Sequence, residues 1–374
     1  MKYLRYMLIF LPLAFAVEFI PAIHNSLLIF LFSCLALVPL AGLLGEATEE
    51  LSVHTGPKIG GLLNATLGNA AELIITIVAL SGGKYELVKA SITGSILGNL
   101  LLILGFSILL GGLKNGRQRF DRGFVGTSAA MMLLAVVGLL IPTLFEVLRE
   151  AAFGQVDVFR TEVNDAALNG LSIGVAAVLI LLYVLSLIYS FRSEDNEVSG
   201  HPGTDDHSAE EETHVAKWSV PVSVGVLAVS TVFIVFLSEF LVGAVEPVVE
   251  SLGVSELFLG IIIIPLVGNV AEHIVGVQVA YKNKMDLSLG ISLGSSMQIA
   301  LFVAPLLVFI SLLFGREMTL FFSLFEVAVL ALAVIIANAI STDGESNWLE
   351  GAQLLAVYVI VALGFFYINT GLPA

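Results

Sequence analysis

Apolar residues fill long blocks of this chain, and polar residues gather in short breaks between them. A membrane-crossing helix needs about 20 consecutive apolar residues. Reading for such blocks predicts eleven spans, at 5–22, 25–45, 59–81, 87–112, 124–148, 167–191, 218–245, 257–281, 286–313, 319–340 and 348–369. Trp218 and Trp348 fall at span starts, where amphipathic rings favour the membrane interface. The fold class expected is therefore an all-α polytopic membrane protein. The first span also fits a signal-peptide pattern, with a basic start and Ala14-x-Ala16 at its end. We take it as a retained helix.

The blocks repeat. GNAAE at 68–72 returns as GNVAE at 268–272. At the same offset Gly60 matches Gly260, Gly94-Ser95 matches Gly294-Ser295, Glu46 matches Glu246, and Glu50 matches Glu250. Each repeat unit would hold five spans. An odd number turns the second unit upside down in the membrane, an inverted repeat of the kind found in secondary transporters. The expected organisation is an N-terminal helix (1–22), a first five-helix repeat (23–192), an acidic linker (193–217) and a second five-helix repeat (218–374).

Charge sets the orientation. Eleven Lys and Arg fall on the side of the N-terminus and five on the other. The positive-inside rule then puts the N-terminus in the cytosol and the C-terminus outside. Among the five is Lys89, read as a residue near a span end. The linker stretch 193–216 carries eight acids, three histidines and no Lys or Arg. It reads as a solvated connector or as a cytosolic element that concentrates divalent cations.

Composition narrows the chemistry. The 374 residues are 57% hydrophobic and 13% charged, with a net charge of −15. An acidic chain lacks the basic face that nucleic acid requires. The single cysteine, Cys34, allows neither an internal disulfide nor a multi-cysteine metal cluster. There is no H-E-x-x-H helix, so no protease or other enzyme activity is expected. No cofactor is implied.

Against this background an acid inside a span stands out, because intramembrane ionisable groups usually mark function. On a helix, Asn69, Glu72 and Thr76 share one side, and so do Asn269 and Glu272. Gly68 and Gly268 let another backbone approach or let the helix loosen, and Pro265 breaks backbone bonding before Gly268. Carboxylate, amide and carbonyl oxygens suit a hard cation such as Ca²⁺. Two carboxylates in a low-dielectric site hold either one divalent cation or about two protons. The opposing reading pairs both acids with buried bases, but the sequence offers few nearby. In the following spans Ser95 with Asn99, and Ser295 with Gln298, make polar faces. They read as outer cation contacts or as interhelical glue. His273 points about 100° away from Glu272, and reads as a proton relay or a packing histidine. Glu46, Glu50, Glu246 and Glu250 sit at span ends, as surface acids or as an access route that draws cations in.

These motifs resemble the calcium/proton exchanger family of the calcium/cation antiporter superfamily, in its short microbial form. GNAAELI at 68–74 and GNVAEH at 268–273 look like its two alpha-repeat signatures, and GSILGNLLL and GSSMQIALF like the helices that follow them. The resemblance implies antiport of Ca²⁺ out of the cytosol against H⁺, with Glu72 and Glu272 as the exchanging carboxylates. It implies oxygen donors from Gly68-Asn69 and Gly268-Asn269, with Asn99, Ser295 and Gln298 in reach. The partners expected are Ca²⁺, H⁺ and the lipid bilayer; a homo-oligomer is allowed. The location implied is the cell membrane, or the vacuolar membrane in a eukaryote. Sodium- or potassium-coupled Ca²⁺ exchange and a passive cation channel are the alternatives.

Overall fold

The computed structural model describes residues 4–152, 165–199, 216–315 and 317–368. Most of the acidic linker, Arg160 and Arg316 lie outside the described residues. A 3-10 turn over Leu4–Ile9 leads into α1 (Phe10–Phe19). Then come α2 (Ser26–Leu67), α3 (Ala70–Ser81), α4 (Tyr85–Leu97), α5 (Leu104–Asn115), α6 (Arg122–Ala152), α7 (Ala166–Ser199) and α8 (Val220–Leu252). The remainder holds α9 (Glu256–Phe258), α10 (Ile264–Gly268), α11 (Val270–Tyr281), α12 (Met285–Gln298), α13 (Ala304–Leu313), α14 (Leu324–Ser341) and α15 (Trp348–Ile368). Three π-helical segments, Gly98–Ile103, Leu259–Ile263 and Ile299–Val303, join α4 to α5, α9 to α10 and α12 to α13.

Among the described residues eight helices are long and apolar enough to cross a membrane, and nine if the bent pair Glu256–Gly268 and Val270–Tyr281 counts as one. Two expected spans are not continuous helices. The block at 59–81 is divided at Asn69, which has φ −103° and ψ 31°. The block at 257–281 bends by 61° at Asn269. The breaks thus fall on the asparagines, whose amides are drawn away by other helices, while Gly68 keeps helical angles. A third bend, at Gly56, has φ +80°, a conformation open to glycine at little cost.

The block expected at 319–340 is helical only from Leu324. Ahead of it the chain is buried and not helical, so its amides need partners. Neighbouring helices supply them. Met318 N donates to Ser311 Oγ (2.9 Å), Leu320 N to Ser172 Oγ (3.0 Å) and Phe322 N to Thr143 Oγ1 (3.2 Å). Thr143→Val keeps the shape and strands the Phe322 amide. It should destabilise the protein by about 1–3 kcal/mol, read as a lower unfolding temperature in detergent with transport retained at low temperature.

The long helices α2 and α8 pack against each other. Phe15 of α1 completes this layer, with its ring centroid 5.0–6.1 Å from those of Phe233, Phe236 and Phe240 on α8. Gln118–Arg119 pairs antiparallel with Glu345–Ser346 at one end of the bundle. Near α7, Asp165 accepts from its first amides, and the Arg149 guanidinium beside it holds its carboxyl below the usual range. Lys89 is no loop residue: it is buried inside α4. Removing it from the charge count leaves the bias toward the N-terminal side intact.

Candidate cation site

Both interrupted helices restart at an asparagine, with the acid of the pentapeptide in the first turn: Glu72 in α3 and Glu272 in α11. A helix N-terminus has amides without intrahelical partners and a positive dipole end, which favour a carboxylate there. Glu72 is buried, and it lies against the opposite break. A Cβ added to Gly268 would stand 3.0 Å from Glu72 Oε1. Glu72 thus reaches the end of the short helix that runs into the break ahead of Glu272.

The amides and hydroxyls cross between the two parts of the chain. Asn69 Nδ2 donates to Gln298 Oε1 (2.5 Å), and Ser295 Oγ donates to Asn69 Oδ1 (2.7 Å). Asn99 Nδ2 donates to Ser295 Oγ (2.9 Å). In the mirrored position Asn269 Nδ2 donates to Ser95 Oγ (3.2 Å) and to Pro265 O (3.0 Å). Gly68 faces Gln298: a Cβ there would lie 3.3 Å from its Oε1. Thr76 is turned back on its own helix, donating to Glu72 O (2.7 Å).

The donors are thus spent holding the frame, and several acceptors are left over. Asn99 Oδ1, Asn269 Oδ1 and Glu272 Oε2 are buried without a hydrogen-bond partner. A buried acceptor left unpaired is unfavourable, so this oxygen set suits a hard cation. No cluster of three or more His, Cys, Asp or Glu suited to a metal occurs among the described residues. The candidate donors are instead two carboxylates with amides and hydroxyls. The arrangement is also asymmetric. Asn69 is satisfied on both of its polar atoms, whereas Asn269 leaves Oδ1 open. His273 Nε2 is buried without a partner as well.

The acids at helix ends have other occupations. Glu46 is bound by Arg5 (2.8 Å) and Glu246 by Lys84. Glu50 is buried and accepts from the Lys217 and Trp218 amides (2.6 and 3.0 Å). Glu250 is exposed at the end of α8. Sequence reasoning missed the buried hydrogen bond from Thr93 Oγ1 to Glu326 Oε1 (3.1 Å). Glu326 has no acidic counterpart at the 200-residue offset, so the repeat gave no signal for it.

A helical membrane bundle with two helices interrupted at matching asparagines is an architecture found among secondary transporters. This chain belongs to the sodium/calcium exchanger protein family, whose profile matches residues 25–192 and 222–367. It is 44% identical over 370 residues to the Ca(2+)/H(+) antiporter of Synechocystis sp., covering 96% of each chain. It is 42% identical over 341 residues to the Ca(2+)/H(+) antiporter ChaA of Bacillus subtilis, covering 91% of this chain and 92% of that one. The structure of native YfkE superposes with a TM-score of 0.79 at 39% identity, covering 97% of this chain and 100% of that one.

Proposed function

We propose that this chain is a secondary antiporter that moves Ca²⁺ out of the cytosol in exchange for H⁺ by alternating access. One observation carries the reading: Glu72 and Glu272 start two interrupted helices side by side, among buried oxygens that lack partners. Two carboxylates neutralise one divalent cation. When it leaves, they repel each other in a poor solvent for charge and bind protons. The same oxygens cannot hold both cargoes, so one displaces the other. An empty, doubly charged site is costly to reorient inside a membrane, which suppresses leak. The names of the relatives at 42–44% identity agree with this cargo.

The eleven-span inverted repeat belongs to the same proposal. In it, the Leu4–Phe19 stretch and the divided 59–81 block complete the spans. The alternating topology places loops 112–124 and 340–348 together in the cytosol, and the β pairing of 118–119 with 345–346 supports this. It places Lys84 and Glu246 together outside, and their ion pair supports that. The N-terminus is then cytosolic and the C-terminus outside. Glu250, with Glu46, Glu50 and Glu246 released from their partners in other states, would line the access route for the cation.

Purified protein in liposomes tests the function. An imposed pH gradient should drive Ca²⁺ uptake without Na⁺ or K⁺, and the gradient should collapse as Ca²⁺ enters. Uptake that ignores pH and follows Na⁺ or K⁺ would refute proton coupling. Single-channel conductance would instead favour a pore.

A further inference from the structure

Lys89 and Glu326 are buried in the bundle outside the acid pair. Lys89 is 3% exposed and Glu326 is fully buried. Buried charges in a membrane protein need partners, and Glu326 has them on both oxygens. Oε1 accepts from Thr93 Oγ1 (3.1 Å). Oε2 accepts from Ser323 N (3.0 Å) and Ser323 Oγ (2.7 Å), closing a capping box at the start of α14. Lys89 Nζ sits 5.9 Å from the ring centroid of Phe321, just ahead of α14. This carboxylate is saturated with donors, whereas Glu272 keeps an unpartnered oxygen. It is built as an anchor.

What it anchors is α4. Lys89 and Thr93 are one turn apart on that helix and face α14 together. The adjoining stripe, Ala90 and Gly94, bears on the interrupted helix. A Cβ on Gly94 would overlap the Ile261 carbonyl and stand 2.6 Å from Pro265 Cγ. A Cβ on Gly260 would stand 2.5 Å from Ala90 Cβ. Directly beside this bearing, Ser95 of α4 accepts from Asn269 Nδ2 and so leaves Asn269 Oδ1 open.

We infer that Glu326, Thr93 and Lys89 form a positioning unit for the cation site. They hold α4 on α14, so that Ser95 meets Asn269 and turns its Oδ1 toward the cation. The inference rests on the exchange function proposed above. None of the three residues touches the cation.

The test is pH-driven Ca²⁺ uptake in proteoliposomes, with folded protein followed by thermal unfolding. Thr93→Val should raise KM for Ca²⁺ about tenfold, the scale of one lost hydrogen bond to a charged group. Its maximal rate should stay within about twofold of wild type. Thr93→Ser restores the hydroxyl and should restore KM. Added to Ser95→Ala, Thr93→Val should raise KM little further, because the link it acts through is already gone. An unchanged KM, or effects of Thr93→Val and Ser95→Ala that multiply, would overturn the inference. If Thr93→Val yields too little folded protein, Lys89→Met reads the same KM while leaving the hydrogen bonds to Glu326 in place. An unchanged KM there also overturns it. Failure of the wild type to take up Ca²⁺ under a pH gradient counts against the exchange function instead.

Discussion

Glu72→Gln and Glu272→Gln should each reduce pH-driven Ca²⁺ uptake to the level of empty liposomes, a loss of at least about a hundredfold, or about 2.7 kcal/mol. Gln has nearly the volume of Glu and keeps an oxygen for hydrogen bonding. It removes the charge that balances Ca²⁺ and the group that takes a proton. Volume matters here, because Gly268 already stands against the Glu72 carboxylate. A bulkier replacement would confuse loss of charge with loss of packing. The folded fraction should be close to wild type, since neutralising a buried charge relieves repulsion between the two acids. Uptake near the wild-type rate in either variant would remove that carboxylate from the mechanism.

The second large effect is that of pH on Ca²⁺ affinity. Ca²⁺ binds the pair with both carboxyls deprotonated, and protons bind the same oxygens. Affinity is therefore highest, and independent of pH, where the empty site is fully deprotonated. As pH falls through the range in which both carboxyls bind protons, two protons must leave for each Ca²⁺ bound. The apparent Kd then rises up to about a hundredfold per pH unit, against about tenfold if one proton is displaced. Calorimetric titration of Ca²⁺ across a pH series measures the slope. A flat profile across the range would show that the cargoes do not share the site. Glu72→Gln, if it retains measurable binding, should halve the slope on the logarithmic scale.

The candidate site is marked in the sequence because the chain writes its motif twice. GNAAE and GNVAE mark Glu72, Glu272, Asn69 and Asn269 without any structure. Ser95, Asn99, Ser295 and Gln298 followed from helical spacing, and the structure joins them to the asparagines. Other features left no local trace. Lys89 looked like an end-of-span charge, yet it is buried inside α4 with its Nζ 5.9 Å from the Phe321 ring centroid. The 317–323 segment is apolar enough to pass for helix. Its non-helical amides are met by hydroxyls of Ser311, Ser172 and Thr143, which come from three other helices.

The division has a physical basis. Hydrophobic patterning is local, so the sequence by itself determined the membrane-embedded helical class, the approximate positions of most helices and the two acids of the repeated motif. Hydrogen-bond partnership in a membrane interior is global, because no water stands in for a missing donor. The partners of Asn69 and Asn269 are remote in sequence. Ser95 meets Asn269 where Gly94 lets α4 approach the Ile261 carbonyl closely. Tertiary structure alone decided where the helices break, which oxygens are consumed by the frame, and which are left without a partner.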